Sequence, residues 1–368
     1  MNFSQRIHWN SPTNRLTLAR QRRGSDVLDL TETNPTRAGI DYPLDALAEA
    51  MTRAARVAYT PDPRGLLSAR EALAERLGCS PDDLVLTAST SEAYAFLFKL
   101  LCDPGDAIAM PTPSYPLLEH LSALESVSIR PYPLEFHQRW EIETSRIDNN
   151  VRLIVTINPN NPTGSFVSAA EQDAIAALGR PIVSDEVFLE YPLEGSGATF
   201  IRDDVLTFLL GGLSKSAGLP HFKLAWIRVN GPVNLKRDAI AALELVADNF
   251  LSVSTPVQAA LPDLLKIASS IQSAIAARIR RNLDQLRSAA IPSMRVLPVE
   301  GGWSAVLRIP NTESDEDFAL RLVERHGVVV HPGYFFDFEA EGHLVISLLT
   351  DPRIFDEGVR RLLLAVPR

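Results

Sequence analysis

Cysteine is nearly absent from this chain. Cys79 and Cys102 are too few and too far apart for a disulfide framework or a zinc site, and both read as small hydrophobes that are buried or half-buried. Long apolar runs are missing too, since none reaches the roughly 20 residues needed to cross a bilayer. Positive charge is in deficit: 36 Lys and Arg face 45 Asp and Glu, and a net charge of −9 argues against a nucleic-acid surface. The first ten residues lack the apolar centre of a signal peptide, so a cytoplasmic location is expected. Repeats and low-complexity tracts are also lacking. What is present is 368 residues, 46% hydrophobic and 22% charged, a composition for one large or two modest globular domains with a packed core.

From about residue 80 to 230, short apolar runs alternate with amphipathic helices, the pattern of a mostly parallel sheet covered on both faces. Strands are expected at 84–87, 107–110, 153–158, 182–185, 206–211 and 224–229. Ala93, Phe96, Leu97, Leu100 and Leu101 recur at helical spacing after the first of them. Ser168 and Glu171 fit a capping box opening a further helix. A helix-rich stretch, 233–288, leads into strands at 295–299, 304–309, 328–331 and 344–349, with helices near 314–326 and 352–365. The expected division is a large unit over 39–255 and a smaller α+β unit over 1–38 and 256–368.

Lys215 sits in a Gly/Ser turn (211–220) directly after an apolar strand, at the sheet edge where α/β folds place ligands. As an imine with an aldehyde cofactor, a lysine presents an activated electrophile to an incoming amine. Asp185 ends an apolar strand, where a carboxylate is costly without a partner, and a protonated pyridine nitrogen would be one. Glu186 beside it reads as structural. Asn161 lies in the rigid, proline-bounded segment 158–164, which suits its amide as a fixed donor to a phenolate oxygen. Ser89, Thr90 and Ser91 precede a helix, where capping and phosphate binding are compatible roles. Ser214 and Lys223 offer a further hydroxyl and a cation, and Tyr115 after the 107–110 strand offers a stacking ring. A Schiff-base lysine, a ring-nitrogen carboxylate and a phosphate cradle together specify pyridoxal 5′-phosphate, and no metal site is expected.

In order and identity these segments resemble the aspartate-aminotransferase-like, fold-type-I enzymes of aminotransferase class I/II. The resemblance spans nearly the whole chain: Tyr59, 63–66 and 70–72, 87–93, Tyr115, 158–164, Asp185 and Glu186, Ser214 to Lys223, 300–303 and 331–335. It implies an α/β fold with a mostly parallel seven-stranded sheet plus a smaller domain, and amino transfer from a small-molecule donor to a carbonyl acceptor. It also implies a homodimer in which Tyr59 reaches the neighbouring subunit's phosphate. Four positions depart from the family's pattern. Phe188 stands where a tyrosine usually donates to the phenolate oxygen, Lys223 where an arginine is usual, and Gly212 where many relatives carry a phosphate-binding serine. Val345 takes the place of the arginine that clamps a substrate α-carboxylate. Either another group takes over, with Thr33, Asn34, Arg37 and Arg308 as the substrate-contacting candidates, or the donor lacks an α-carboxylate. Another reaction at the same α-carbon, a decarboxylation, elimination or oxidation, is the alternative enzyme reading. A non-catalytic amine-sensing regulator is disfavoured by the acidic charge and by the segment 31–35, which already belongs to the catalytic-type N-terminus.

Overall fold

The computed structural model describes residues 3–10 and 12–367; Met1 and Asn2 of the N-terminal segment read above lie outside the described residues. The chain opens with helix α1 (Arg15–Arg23), the short strand β1 (Leu28–Asp29), and helices α2 (Leu44–Ala54) and α3 (Leu67–Leu77). Strand β2 (Leu84–Thr87) and helix α4 (Thr90–Leu101) lead to β3 (Ala107–Thr112), α5 (Leu117–Leu124), β4 (Ser128–Phe136) and β5 (Trp140–Ile142). Then come β6 (Ile154–Ile157), α6 (Ala169–Ala176), β7 (Ile182–Asp185), β8 (Thr207–Gly212), the single turn α7 (Leu213–Ser216) and β9 (Ala225–Asn230). Helices α8 (Val233–Asp248) and α9 (Thr255–Ala289) precede β10 (Arg295–Val296), β11 (Ser304–Arg308) and α10 (Asp315–Arg321). Strands β12 (Val328–Val329), β13 (His331–Pro332) and β14 (His343–Ser347) and helix α11 (Pro352–Ala365) complete it.

Eight strands form the main sheet in the order β2-β9-β8-β7-β6-β3-β4-β5. The run β8-β7-β6-β3-β4 is parallel, β9 is antiparallel to both of its neighbours, and β5 is antiparallel to β4. The central strands are buried on both faces, so their sequences are mostly apolar, broken by Thr156, Ser184 and Thr207, and do not alternate. One face packs Phe96, Leu97 and Leu243 of α4 and α8 onto Val85, Phe208 and Ile227. The other packs Ile175, Phe200 and Tyr132 onto Ala109, Ile154 and Leu209.

The expected six strands are all present. Two more, β4 and β5, bring the sheet to eight where the resemblance implies seven. Pro131 and Pro133 disguise β4, because proline cannot donate to a ladder and is confined to sheet edges. The structure resolves this: β5 pairs only with Leu134–Phe136, and the Pro133 carbonyl faces away from β3 to accept from Glu143 N–H. The prolines therefore turn their missing donors toward the open side. A smaller antiparallel sheet, β10-β11-β14-β13, stands beside the main one, and β1 pairs parallel with β12. Residues 322–326 end the helix expected near 314–326 as a π turn. Among the described residues no helix is long and apolar enough to cross a membrane.

Candidate active site

Topology delivers the chemistry to one edge. Parallel strands β3, β6, β7 and β8 end in the same direction, so Tyr115, Asn161, Asp185 and Lys215 follow or close four adjacent strand ends. Strand β2 runs the same way and ends just before Ser89–Ser91. Antiparallel β9 begins at that edge, two residues after Lys223; Thr87 pairs with Ala225. The result is a cleft of about 330 Å³ lined by Ser89, Thr90, Ser91, Tyr115, Asn161, Asp185, Ser214, Lys215 and Lys223. Its opposite wall comes from the smaller sheet and the N-terminal segment: Trp303, Ser304, His331, Phe336, Val345, Ser347, Thr31 and Thr33.

Lys215 is held by its backbone. The Tyr191 hydroxyl donates to the carbonyls of Lys215 (2.9 Å) and Ser216 (3.1 Å), and the Ser216 hydroxyl donates back to Gly212 O. Gly218 closes the turn at φ +65, where a Cβ would stand 2.7 Å from Ile275 and 2.8 Å from Ile271. The ammonium lies 5.8 Å from the Phe188 ring centroid and 5.4 Å from that of Trp303, within cation–π range. Burial pulls its pKa down from the ordinary value, against the charges of Asp185 and Glu32.

Asp185 accepts from the Tyr94 hydroxyl (3.1 Å) and from Val187 N–H (3.3 Å). Burial pushes its pKa up to about 6 despite these bonds and the charge of Lys215. A buried carboxylate with two neutral donors still has capacity for a cation. Glu186, by contrast, is saturated by Ser184, Thr199 and Phe200 N–H and anchors a loop, as its structural reading expects.

The 158–164 segment is tied down at several polar groups, although the buried Asn160 Oδ1 has no partner. Asn158 N–H donates to Asp185 O, its amide bonds Ala198 O and Val167 N–H, and Asn160 bonds Pro113 O and Thr163. Ser304 Oγ donates to Asn161 Oδ1 (3.2 Å), which leaves the Asn161 –NH2 as donor. Ser89 is the N-cap of α4, accepting from Glu92 N–H at 3.2 Å, and this helix start lines the cleft with its hydroxyls. Dipole, hydroxyls and Lys223 together suit an anion. Lys223 itself adopts φ +52. The donor set thus fits a ligand with a carbonyl for Lys215, a ring cation for Asp185 and an anionic tail for the α4 end.

Four candidates lie elsewhere. Tyr59 is 68% exposed and lines a separate surface depression with Pro61 and Leu251. Asn34 turns its carboxamide oxygen to Thr36 and shapes a local turn. Arg37 is paired with Glu32 (3.3 Å) and its side chain is 71% exposed. Arg308 is exposed at the far end of β11 opposite His343 and does not line the cleft; it shares a strand face with Ser304, which does, but lies four residues further along. Thr33, the fourth member of that substrate-contacting set, does line it. Sequence reasoning overlooked Tyr94, whose signal was a phenol on an otherwise apolar helix face: a buried tyrosine hydroxyl needs a partner.

The chain and its fold are matched in known proteins. The chain matches the family "aminotransferase class I and II" over residues 25–362 and belongs to it. It is 26% identical to the glutamate-pyruvate aminotransferase AlaA of Haemophilus influenzae, over 95% of this chain and 93% of that one. Among solved structures, an aspartate aminotransferase double mutant from Thermus thermophilus superposes with a TM-score of 0.86, at 23% identity over the whole of both chains. An alanine aminotransferase from Pyrococcus furiosus gives 0.85 at 24% identity over 95% of each. The fold is that of the fold-type-I aminotransferases, and the protein is an enzyme that transfers amino groups.

Proposed function

We propose that this aminotransferase works with pyridoxal 5′-phosphate and that Lys215 is its Schiff-base lysine. Bound in the cleft, the cofactor supplies an aldehyde that takes up an amino group and a ring that withdraws electrons from the substrate carbon. Asp185 keeps the ring nitrogen protonated, Asn161 donates to the phenolate oxygen, and Tyr115 covers the ring. Ser89, Thr90, Ser91, Ser214 and Lys223 hold the phosphate. Lys215, freed when an amine replaces it, moves a proton to and from the substrate carbon. The observation that carries this reading is the presence, in one cleft, of a buried carboxylate bonded only to neutral donors and a buried lysine whose ammonium is destabilised.

The same reading includes a homodimer. Tyr59 stands exposed and outside its own cleft, which supports a role at a neighbouring one. It also includes a large unit over 39–255, a smaller unit from 1–38 and 256–368, and a cytoplasmic setting, with which two free thiols are consistent.

Lys215→Ala tests the assignment. Pyridoxal 5′-phosphate added to the wild type should produce a visible Schiff-base band, and the variant should stay folded, lack that band and lose amino transfer. Undiminished turnover by the variant overturns the role of Lys215. Mixing inactive Lys215→Ala with Tyr59→Ala should restore part of the activity if sites are shared between subunits.

A further inference from the structure

We propose that the substrate brought to Lys215 is a primary amine with apolar substituents and no carboxylate, or the matching aldehyde or ketone. This rests on the aminotransfer reading above and names its substrate class.

The wall facing Lys215 lacks a cation to hold a carboxylate. Among the described residues lining the cleft, the lysines are Lys215 and Lys223 and there is no arginine. Lys215 is committed to the reaction, and Lys223 stands beside the start of α4, at the β2–β9 end. His331 is held toward its neutral form by burial. Three hydroxyls of the wall are spent as well, which leaves the unpartnered Trp303 indole N–H as a neutral donor there. A hydroxyl carries a single proton, and Thr31 gives its own to Asp29 (2.6 Å), Ser304 to Asn161 (3.2 Å) and Ser347 to Glu32 O (2.6 Å). Arg37 does not line the cleft, and its Nε pairs with the Glu32 carboxylate at 3.3 Å.

What the wall otherwise offers is apolar. Val345 is 2% exposed and Trp303 1%, with Phe336 and Phe188 beside them. A carboxylate placed there exchanges its hydration for hydrocarbon with no cation in return, a transfer that costs several kcal/mol. An alkyl or aryl group placed there gains about 25 cal/mol for each Å² removed from water. The balance selects an apolar substituent.

The half-reaction then converts the primary amine and the cofactor aldehyde into the matching ketone or aldehyde and the cofactor amine. The substrate carbon loses two electrons, and its proton moves by way of Lys215 to the cofactor carbon, which gains the same two electrons. The nitrogen leaves with the cofactor. Water released when the amine condenses with the aldehyde is taken up again on hydrolysis, and its oxygen becomes the product carbonyl.

Wild-type holoenzyme is titrated with 1-phenylethylamine and with L-phenylalanine, following loss of the visible band in single turnover. Calorimetry with the unreactive pair 3-phenylpropanol and 3-phenylpropionate reads binding apart from turnover. The amine and the alcohol should act at concentrations about tenfold or more below those of their carboxylate counterparts. Val345→Arg should reverse both preferences; if that variant does not fold, the wild-type comparison decides alone. Equal or better use of the amino acid and the carboxylate overturns the inference and leaves the aminotransfer reading standing, as does a band that neither compound bleaches with no preference in calorimetry. Failure of any visible band to form with pyridoxal 5′-phosphate overturns the reading beneath it.

Discussion

The hydroxyl of Tyr94, on the first full turn of α4, donates to the carboxylate of Asp185 at the end of β7, 3.1 Å away. The bond joins the helix whose start is proposed to hold the phosphate to the strand that ends in the proposed ring-nitrogen partner. It favours the ionised carboxylate and opposes the burial that raises its pKa. Tyr94→Phe should therefore raise the pKa of Asp185 further. Loss of one hydrogen bond to a charged group, about 1.5–3 kcal/mol, should weaken pyridoxal 5′-phosphate binding by roughly ten- to a hundredfold. Absorbance titration with the cofactor measures it, and unchanged affinity would show that the bond does nothing for the site.

Asp185 also sets a pH dependence for the cofactor-free protein. Its folded pKa, about 6, lies above the ordinary 3.8, so the folded state binds the proton more tightly than the unfolded state does. The associated stability is fully present below pH 4 and is lost as pH rises through 6. Asp185→Asn cannot ionise. The cofactor-free variant should be more stable than wild type at pH 8, by on the order of 3 kcal/mol, with the gap closing by pH 4. Urea unfolding at pH 4, 6 and 8 gives the comparison. A gap independent of pH would sink this account of the carboxylate's environment.

The edge that carries the chemistry is legible in the sequence because buried parallel strands are written as mostly apolar runs, and each ends in a polar residue or a turn. Lys215, Asp185, Asn161 and Ser89–Ser91 are all visible that way. Residues whose role depends on a partner distant in the chain are not. Tyr94 looks like one more member of a helix face until Asp185, 91 residues later, is folded against it. Arg308 looks like a carboxylate clamp until the register of β11 against β14 sets it opposite His343, away from the cleft. Strand β4 is hidden by prolines that only an open edge tolerates. The partners of the Thr31, Ser304 and Ser347 hydroxyls leave no mark in the sequence, and only the fold reveals that each is engaged.

Gly218 is required twice over, by a left-handed φ and by the side chains of Ile271 and Ile275 on α9. Gly78, the left-handed C-cap of α3, shares nearly the same φ, +62, yet a Cβ there meets nothing within 4 Å. Gly78→Ala should cost about 1 kcal/mol, the backbone penalty alone. Gly218→Ala adds overpacking and should cost roughly 2–4 kcal/mol, while displacing the turn that carries Lys215. Denaturant midpoints rank the two; equal losses would remove the packing argument.

Ser304 fixes which end of the Asn161 amide is left to the cleft, since its hydroxyl claims Oδ1. Phe188 offers no phenol to the same oxygen, so the Asn161 –NH2 carries that duty alone among the donors proposed here. Ser304→Ala frees the amide to turn. A donor to the phenolate stabilises the anionic oxygen and so lowers the pKa of the Schiff base; a disordered donor does so less. The variant's visible band should therefore titrate at higher pH than that of wild type, by roughly half a unit to one unit. Ser304→Thr keeps a hydroxyl in reach and should restore the wild-type value. A spectrophotometric pH titration of the three proteins decides it. A Ser304→Ala curve superimposed on the wild type would mean that the 158–164 segment alone orients Asn161, through its bonds to Ala198, Pro113 and Gly301.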